Sequence, residues 1–261
     1  MKKIIMLLIG IALLSGIAPA QDSLYIYQEG LIVDQIAASE IDSIVFYKVE
    51  PIIVYGKLID VDNINYKTVT IGTQTWMAEN LKVTKYNDGT TIPIVTDSAT
   101  WSTLKTGAYC NYNNTENVDT IKTYGRLYNW FAANTGKLCP TGWHVPNESE
   151  WTILENYVIN VKPLASTVGW VDGGTFAIAG SAGDTPSTNN KSGFTAIPAG
   201  YRNWIATYND IKTNASWWST TEDLSFPLVY AEVVCIYDWY SSPQHGGREK
   251  ATGLSVRCLK D

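Results

Sequence analysis

Four cysteines, Cys110, Cys139, Cys235 and Cys258, and two histidines, His144 and His245, are the side chains of this sequence best suited to metal, redox or nucleophilic chemistry. Their spacing argues against all three. No Cys-x-x-Cys pair occurs and neither histidine accompanies a cysteine pair, so the ligand pattern of a structural zinc site is missing. Gly180-Ser181-Ala182-Gly183 is too short for a nucleophile elbow, and Gly253-Leu254-Ser255-Val256-Arg257 puts Arg where the second Gly must stand. There is no glycine-rich phosphate loop. His144, between Trp143 and Val145 at a helix start, reads as a packed, hydrogen-bonded histidine, whereas His245, before Gly246-Gly247, reads as exposed. Asp60-Val61-Asp62-Asn63 begins like a calcium loop but lacks the Gly and bidentate Glu that must follow, which makes it an Asx turn. No metal or cofactor is expected, and calcium has no motif behind it. Glycoside hydrolysis needs two carboxyl groups converging in a cleft. Glu222, Asp223, Glu232 and Asp238 are the available acids, and their spacing alone forms no pair.

The stronger signal is aromatic. Ten Trp and sixteen Tyr stand against five Phe, so the chain favours rings that combine an apolar body with a polar handle. Such rings stack on sugars or anchor a protein partner, with Asn and Arg supplying hydrogen bonds. Packing competes for the same residues. A buried Trp removes about 150–250 Å² from water, worth roughly 4–6 kcal/mol at about 25 cal/mol per Å². Trp76, Trp130, Trp143 and Trp151 are assigned to packing. Tyr201, Arg202 and Trp204 lie close in sequence, as do Trp217 with Trp218 and Trp239 with Tyr240. Strand alternation sends one of Trp217 and Trp218 inward and the other outward, with Trp218 the surface candidate. The binding set is therefore Tyr201, Arg202, Trp204, Trp218, Trp239 and Tyr240, of which Trp204, Trp239 and Tyr240 have the most polar, looplike contexts.

The elements that must position these rings belong to an exported, β-rich chain. Lys2 and Lys3 precede an apolar run from Ile4 to Leu14, and Ala18-Pro19-Ala20 closes the segment, so residues 1–20 read as a signal peptide. No later run is long and apolar enough to span a bilayer. Loss of Lys2 and Lys3 with the leader takes the net charge from −6 to −8, and no Lys/Arg cluster occurs, which excludes nucleic acid as a partner. Export also favours disulfides. Four cysteines allow three pairings, and Cys258 is expected to close back on Cys110 or Cys139. The mature protein is then extracellular, cell-surface or periplasmic.

Residues 21–50 read as a small β leader with strands at Leu24–Tyr27, Leu31–Val33 and Ile44–Tyr47, and residues 51–261 as the main domain. There, Lys57–Asp60 and Tyr66–Ile71 predict a hairpin. One helix is expected over Tyr124–Asn134. A second starts at an Asn147 cap with Glu150 as reciprocal partner and runs to about Val158 along a Trp151, Leu154, Tyr157, Val158 stripe. Leu164–Asn190 is Gly/Ser/Thr-rich and predicts a long irregular excursion. Strands are expected at Phe194–Pro198, Trp217–Thr220, Leu228–Ile236 and Leu254–Leu259. Strands first and last with helices between predict an α+β class with an antiparallel sheet.

Six motifs in order now carry a resemblance: Ile71-Gly72-Thr73-Gln74-Thr75-Trp76-Met77-Ala78-Glu79-Asn80-Leu81; Gly125-Arg126-Leu127-Tyr128-Asn129-Trp130; Cys139-Pro140-Thr141-Gly142-Trp143-His144-Val145-Pro146 with Glu150-Trp151; Phe194 to Arg202; Trp217 to Glu222; and Gly253-Leu254-Ser255-Val256-Arg257-Cys258. Residues 56–261 resemble the Fibrobacter succinogenes major paralogous domain family, found largely in exported proteins. More distantly, the Pro-x-x-x-Glu-Trp helix start and the Gly-x-x-x-Arg-Cys ending are similar to the C-type-lectin-like fold shared with formylglycine-generating enzymes. The resemblance implies an antiparallel sheet flanked by two helices, close termini and long loops on one side, and no particular reaction. The closely spaced reactive cysteines of the formylglycine enzymes have no counterpart, since Cys235 and Cys258 are 23 positions apart. The calcium motifs of C-type lectins are also missing: Val145-Pro146-Asn147 lacks the acid and Trp217-Trp218-Ser219 is not Trp-Asn-Asp. The expectation is an exported non-catalytic binding domain that recognises a glycan or surface protein through the 164–250 region. A polysaccharide-active enzyme using Glu222, Glu232 or Asp238, or a structural envelope component, is the alternative.

Overall fold

The structure is a computed structural model that describes residues 23–28, 31–37 and 52–261. The expected signal peptide and the expected strand Ile44–Tyr47 lie outside the described residues. The chain divides into two units, Met1–Pro51 and Ile52–Asp261. In the first, β1 (Ser23–Gln28) pairs antiparallel with β2 (Leu31–Ala37) from Gln28 opposite Leu31, with one register shift between Ile26 and Tyr27.

The second unit starts with β3 (Gly56–Ile59), β4 (Asn65–Ile71) and β5 (Gln74–Met77). The β3–β4 turn is the predicted Asx turn: Asp60 Oδ1 accepts from the amides of Asp62 at 2.9 Å and Ile64 at 2.8 Å. There follow α1 (Ser98–Ser102), β6 (Tyr109–Cys110), α2 (Val118–Tyr124), β7 (Leu127–Tyr128), α3 (Trp130–Ala133), β8 (Trp143–His144) and α4 (Glu148–Tyr157). The helix expected over Tyr124–Asn134 is instead three pieces. Gly125 turns the chain at φ 81°, Leu127–Tyr128 pairs with β6, and Asn129 caps a single new turn by accepting from the Ala132 amide. Asn129 also ties Ala108 and Thr106 to this corner, so its side chain serves a tertiary junction that helical spacing does not reveal. The second helix keeps its predicted start, with both halves of the Asn147/Glu150 capping box formed.

After the irregular excursion come β9 (Ala199–Arg202), β10 (Tyr208–Ile211), β11 (Asn214–Glu222), β12 (Tyr230–Tyr237), β13 (Gln244–Glu249) and β14 (Leu259–Lys260). The main sheet has the order β3-β4-β5-β14-β8, a second has β11-β12-β13, and β9-β10 and β6-β7 are two-stranded; all pairs are antiparallel. The unit is thus β-rich with few, short helices. Of the expected strands, Phe194–Pro198 forms only an isolated bridge, and Leu254–Leu259 does the same until its last residue enters β14. The buried Arg257 guanidinium explains part of this: it donates to the carbonyls of Met77, Phe194 and Thr195, which strand partners would otherwise occupy.

Both faces of β11 are covered. Trp217 packs with Trp151 and Phe194 at ring distances of 5.7 and 5.8 Å, while Trp218 joins the opposite cluster around Tyr128, Val233 and Val256. Trp218 is fully buried and its indole N–H donates to the Tyr128 carbonyl at 2.8 Å, which removes it from the surface candidates. Alternation does send the pair to opposite faces, but at these two positions neither face of the strand meets solvent. Cys258 bridges Cys139, closing a loop of 119 positions beside β14. Cys110 and Cys235 are not bridged: they are buried free thiols on separate sheets. Burial pushes the Cys110 thiol up to about 11 and raises Cys235 as well, which disfavours reactive thiolates.

Candidate functional site

At the end of β12 three aromatic side chains converge. Tyr237 and Trp239 lie 5.0 Å apart with planes 31° from parallel, and Tyr240 packs at 6.1 Å from Tyr237 and 6.0 Å from Trp239. Trp239 is 46% exposed and Tyr240 44%, so both reach solvent beside the partly buried Tyr237. The turn that carries them is fixed by backbone bonds. Asp238 donates to the Thr213 carbonyl at 3.0 Å, Gly183 donates to the Asp238 carbonyl at 2.9 Å, and Val161 donates to that of Ser241 at 2.9 Å. Gly183 of the long excursion thus joins Val161 and Thr213 in bracing the aromatic turn through main-chain groups.

Tyr201, on β9, and Tyr237 pack at the edge of the same core cluster. Arg248 joins them. It sits opposite Ala231 in the β12–β13 register, which puts it on the face shared by Cys235 and Tyr237. Its guanidinium stands 5.7 Å from the Tyr201 ring centre and donates to the Tyr237 hydroxyl at 3.4 Å. Burial, and next the Asp210 carboxylate, raise the Tyr201 phenol above its ordinary value. Burial and Asp210 likewise raise the Asp238 carboxyl. The face therefore combines four rings with a cation, with Asp210 beside Tyr201. Tyr237 and Arg248 were not among the sequence candidates. Cys235, Tyr237 and Trp239 do alternate, but only the strand register brings Arg248 to them.

Two candidates fall elsewhere. Arg202 is fully buried: it lies over the Trp101 ring at 4.5 Å and donates to the carbonyls of Val95 at 2.7 Å and Thr96 at 2.9 Å. It clamps the core because its strand neighbour Tyr201 takes the other face of β9. Trp204 is 47% exposed, as expected, but sits at the β9–β10 tip, and among the described residues no ring stacks with it.

The acids do not pair for catalysis. Glu222 accepts from Lys250 Nζ at 2.7 Å and faces the same side as Ala231, opposite to Glu232. Asp238 lies six residues beyond Glu232, about 20 Å along an extended strand. The histidines are taken up by carboxylates. His144 bonds Asp261 at 2.6 Å and Glu150 at 2.9 Å, and His245 bonds Glu148 at 2.5 Å and Glu155 at 2.9 Å, tying β13 to α4. Burial opposes the charge on each ring, but these carboxylates outweigh it and raise both above 6.5. Among the described residues no group of three or more His, Cys, Asp or Glu is arranged to hold a metal ion. No helix among them is long and apolar enough to cross a membrane.

Fold and surface together define an antiparallel β-rich domain, closed by one disulfide, that exposes an aromatic cluster. The chain matches the model of the Fibrobacter succinogenes major domain over residues 69–260 and belongs to that family. No curated protein and no solved structure matches the chain.

Proposed function

We propose that this chain is an exported, non-catalytic binding domain of lectin-like build that recognises a glycan through the face formed by Tyr201, Tyr237, Trp239, Tyr240 and Arg248. The convergence of half-exposed Trp239 and Tyr240 on a backing Tyr237 carries the reading. Pyranose rings offer apolar C–H faces to such rings, while Arg248 adds N–H donors beside Tyr201 and Tyr237. The turn is braced before any ligand arrives, so little ordering opposes binding. Export is supported by the charged and apolar pattern of residues 1–20 and by the Cys139–Cys258 bridge, which suits an oxidising compartment.

The test is a glycan array probed with the mature chain and with Trp239→Ala and Tyr240→Ala. Each variant is expected to lose about tenfold or more in affinity, the scale of a central aromatic contact, with little change in stability. Glycan binding untouched by both changes removes this face. Binding only to proteins, weakened by the same changes, assigns the face to a protein partner.

A further inference from the structure

The charge of the ligand can be read from the arginines, given that glycan-binding reading. Three of the four are engaged by carbonyl oxygens. Arg126 donates to Lys82 O at 2.8 Å and Asn111 Oδ1 at 2.6 Å, Arg202 to two backbone carbonyls, and Arg257 to three backbone carbonyls and Asn80 Oδ1. Arg248 differs. It is partly buried, yet its one hydrogen bond is the 3.4 Å contact to the Tyr237 hydroxyl, and among the described residues no carboxylate lies within ion-pair distance. A guanidinium has five N–H donors in a planar fork, and none of those of Arg248 is a buried donor without a partner, so the donors not used by Tyr237 are open to solvent and to an incoming acceptor.

The surroundings say what would complete it. Tyr237 spans the two parts of the face, meeting Arg248 with its hydroxyl and Trp239 with its ring. Gly246, between Arg248 and Gln244 on the same side of β13, has no side chain, and a Cβ placed there would meet nothing within 4 Å. Open space thus adjoins the guanidinium along the sheet. Asp210 lies close to Tyr201, and Asp238 close enough to Asp210 to be affected by its charge.

We propose that the domain selects acidic saccharides, one sugar ring stacking on Trp239 and Tyr240 while the anionic group of a neighbouring residue is taken by Arg248. Carboxylates and sulfate esters share the chemistry, since both present paired oxygens to the fork.

The mature protein is titrated with polygalacturonate, with its fully methyl-esterified form, with a sulfated galactan and with a neutral galactan, at low and high salt. Polygalacturonate or the sulfated galactan is expected to bind at least about tenfold tighter than its uncharged counterpart at low salt, and the margin should shrink as salt screens it. Which of the two prevails distinguishes carboxylate from sulfate. Arg248→Gln should abolish the margin between charged and uncharged forms, with an unchanged unfolding midpoint reporting that the variant is folded; Arg248→Lys should retain part of the margin. Equal binding of charged and uncharged forms, or an undiminished margin in Arg248→Gln, overturns the proposal while leaving the aromatic face in place. Absence of binding to any of the four and to every glycan on the array overturns both readings.

Discussion

The Gly183 amide donates to the Asp238 carbonyl at 2.9 Å, so a glycine deep in the long excursion supports the turn that displays Trp239 and Tyr240. A Cβ on Gly183 would lie 2.8 Å from the Asp238 oxygen and 3.0 Å from that of Val171. Both are backbone atoms, which cannot swing aside as the end of a side chain can. Gly183→Ala is expected to destabilise by about 1–3 kcal/mol through overpacking and, on the function proposed above, to weaken ligand binding by displacing the aromatic turn. Denaturant midpoints and a binding titration check this, and a variant equal to wild type in both would show that the turn relaxes freely.

Two tryptophans that the sequence places at the surface should behave oppositely. Trp218 is fully buried whereas Trp204 is half exposed at a hairpin tip. Trp218→Ala is expected to cost about 3–5 kcal/mol, and Trp204→Ala to stay within about 1 kcal/mol. Equilibrium unfolding of the two variants decides, and similar losses would contradict the burial of Trp218.

The cysteines divide into a bonded pair and a silent pair. Peptide mapping under non-reducing conditions should find Cys139 joined to Cys258, with Cys110 and Cys235 labelled by a thiol reagent only after unfolding. Replacing Cys139 and Cys258 by Ser should cost about 2–5 kcal/mol, because the unfolded chain gains the freedom of a long loop. Rapid labelling of either free thiol in the native protein would contradict its burial.

The histidine bridges set a pH dependence. In the folded state His144 and His245 are raised above 6.5 by Glu150 and Asp261 and by Glu148 and Glu155, against the opposing effect of burial. A raised base binds its proton more tightly folded than unfolded. Its stabilisation is therefore complete below about pH 6.5, the unfolded value, and is lost as pH rises through the folded value above it. Unfolding midpoints should fall across that window, less in His245→Gln, and least in the His144→Gln/His245→Gln pair. Glu155 and Glu232 beside the same cluster are both raised, chiefly by burial. A flat wild-type profile from about pH 6 to 9, the range that brackets a raised histidine, would remove the bridges as stabilising contacts.

Local chemistry was legible in the sequence wherever the interacting groups are a few residues apart. The Asn147/Glu150 box, the Asp60 turn and the β3–β4 hairpin are of this kind, since three or four residues along the chain suffice to bring donor and acceptor together. The family motifs were likewise readable, and so was the opposite facing of Trp217 and Trp218. What alternation could not supply was the second layer that covers both faces of β11, and helical spacing could not show that Asn129 serves a tertiary junction and breaks the expected helix.

Composition had marked the protein as rich in Trp and Tyr, and sequence proximity grouped Tyr201, Arg202 and Trp204. The tertiary structure separated them: neighbours on a strand face opposite ways, so Arg202 entered the core while Tyr201 turned towards Tyr237. Arg248 and Tyr237 met only through the pairing of β12 with β13. A ring or a guanidinium has the same chemistry in the core and at a surface, and only the long-range register of the sheets determines which atoms water reaches.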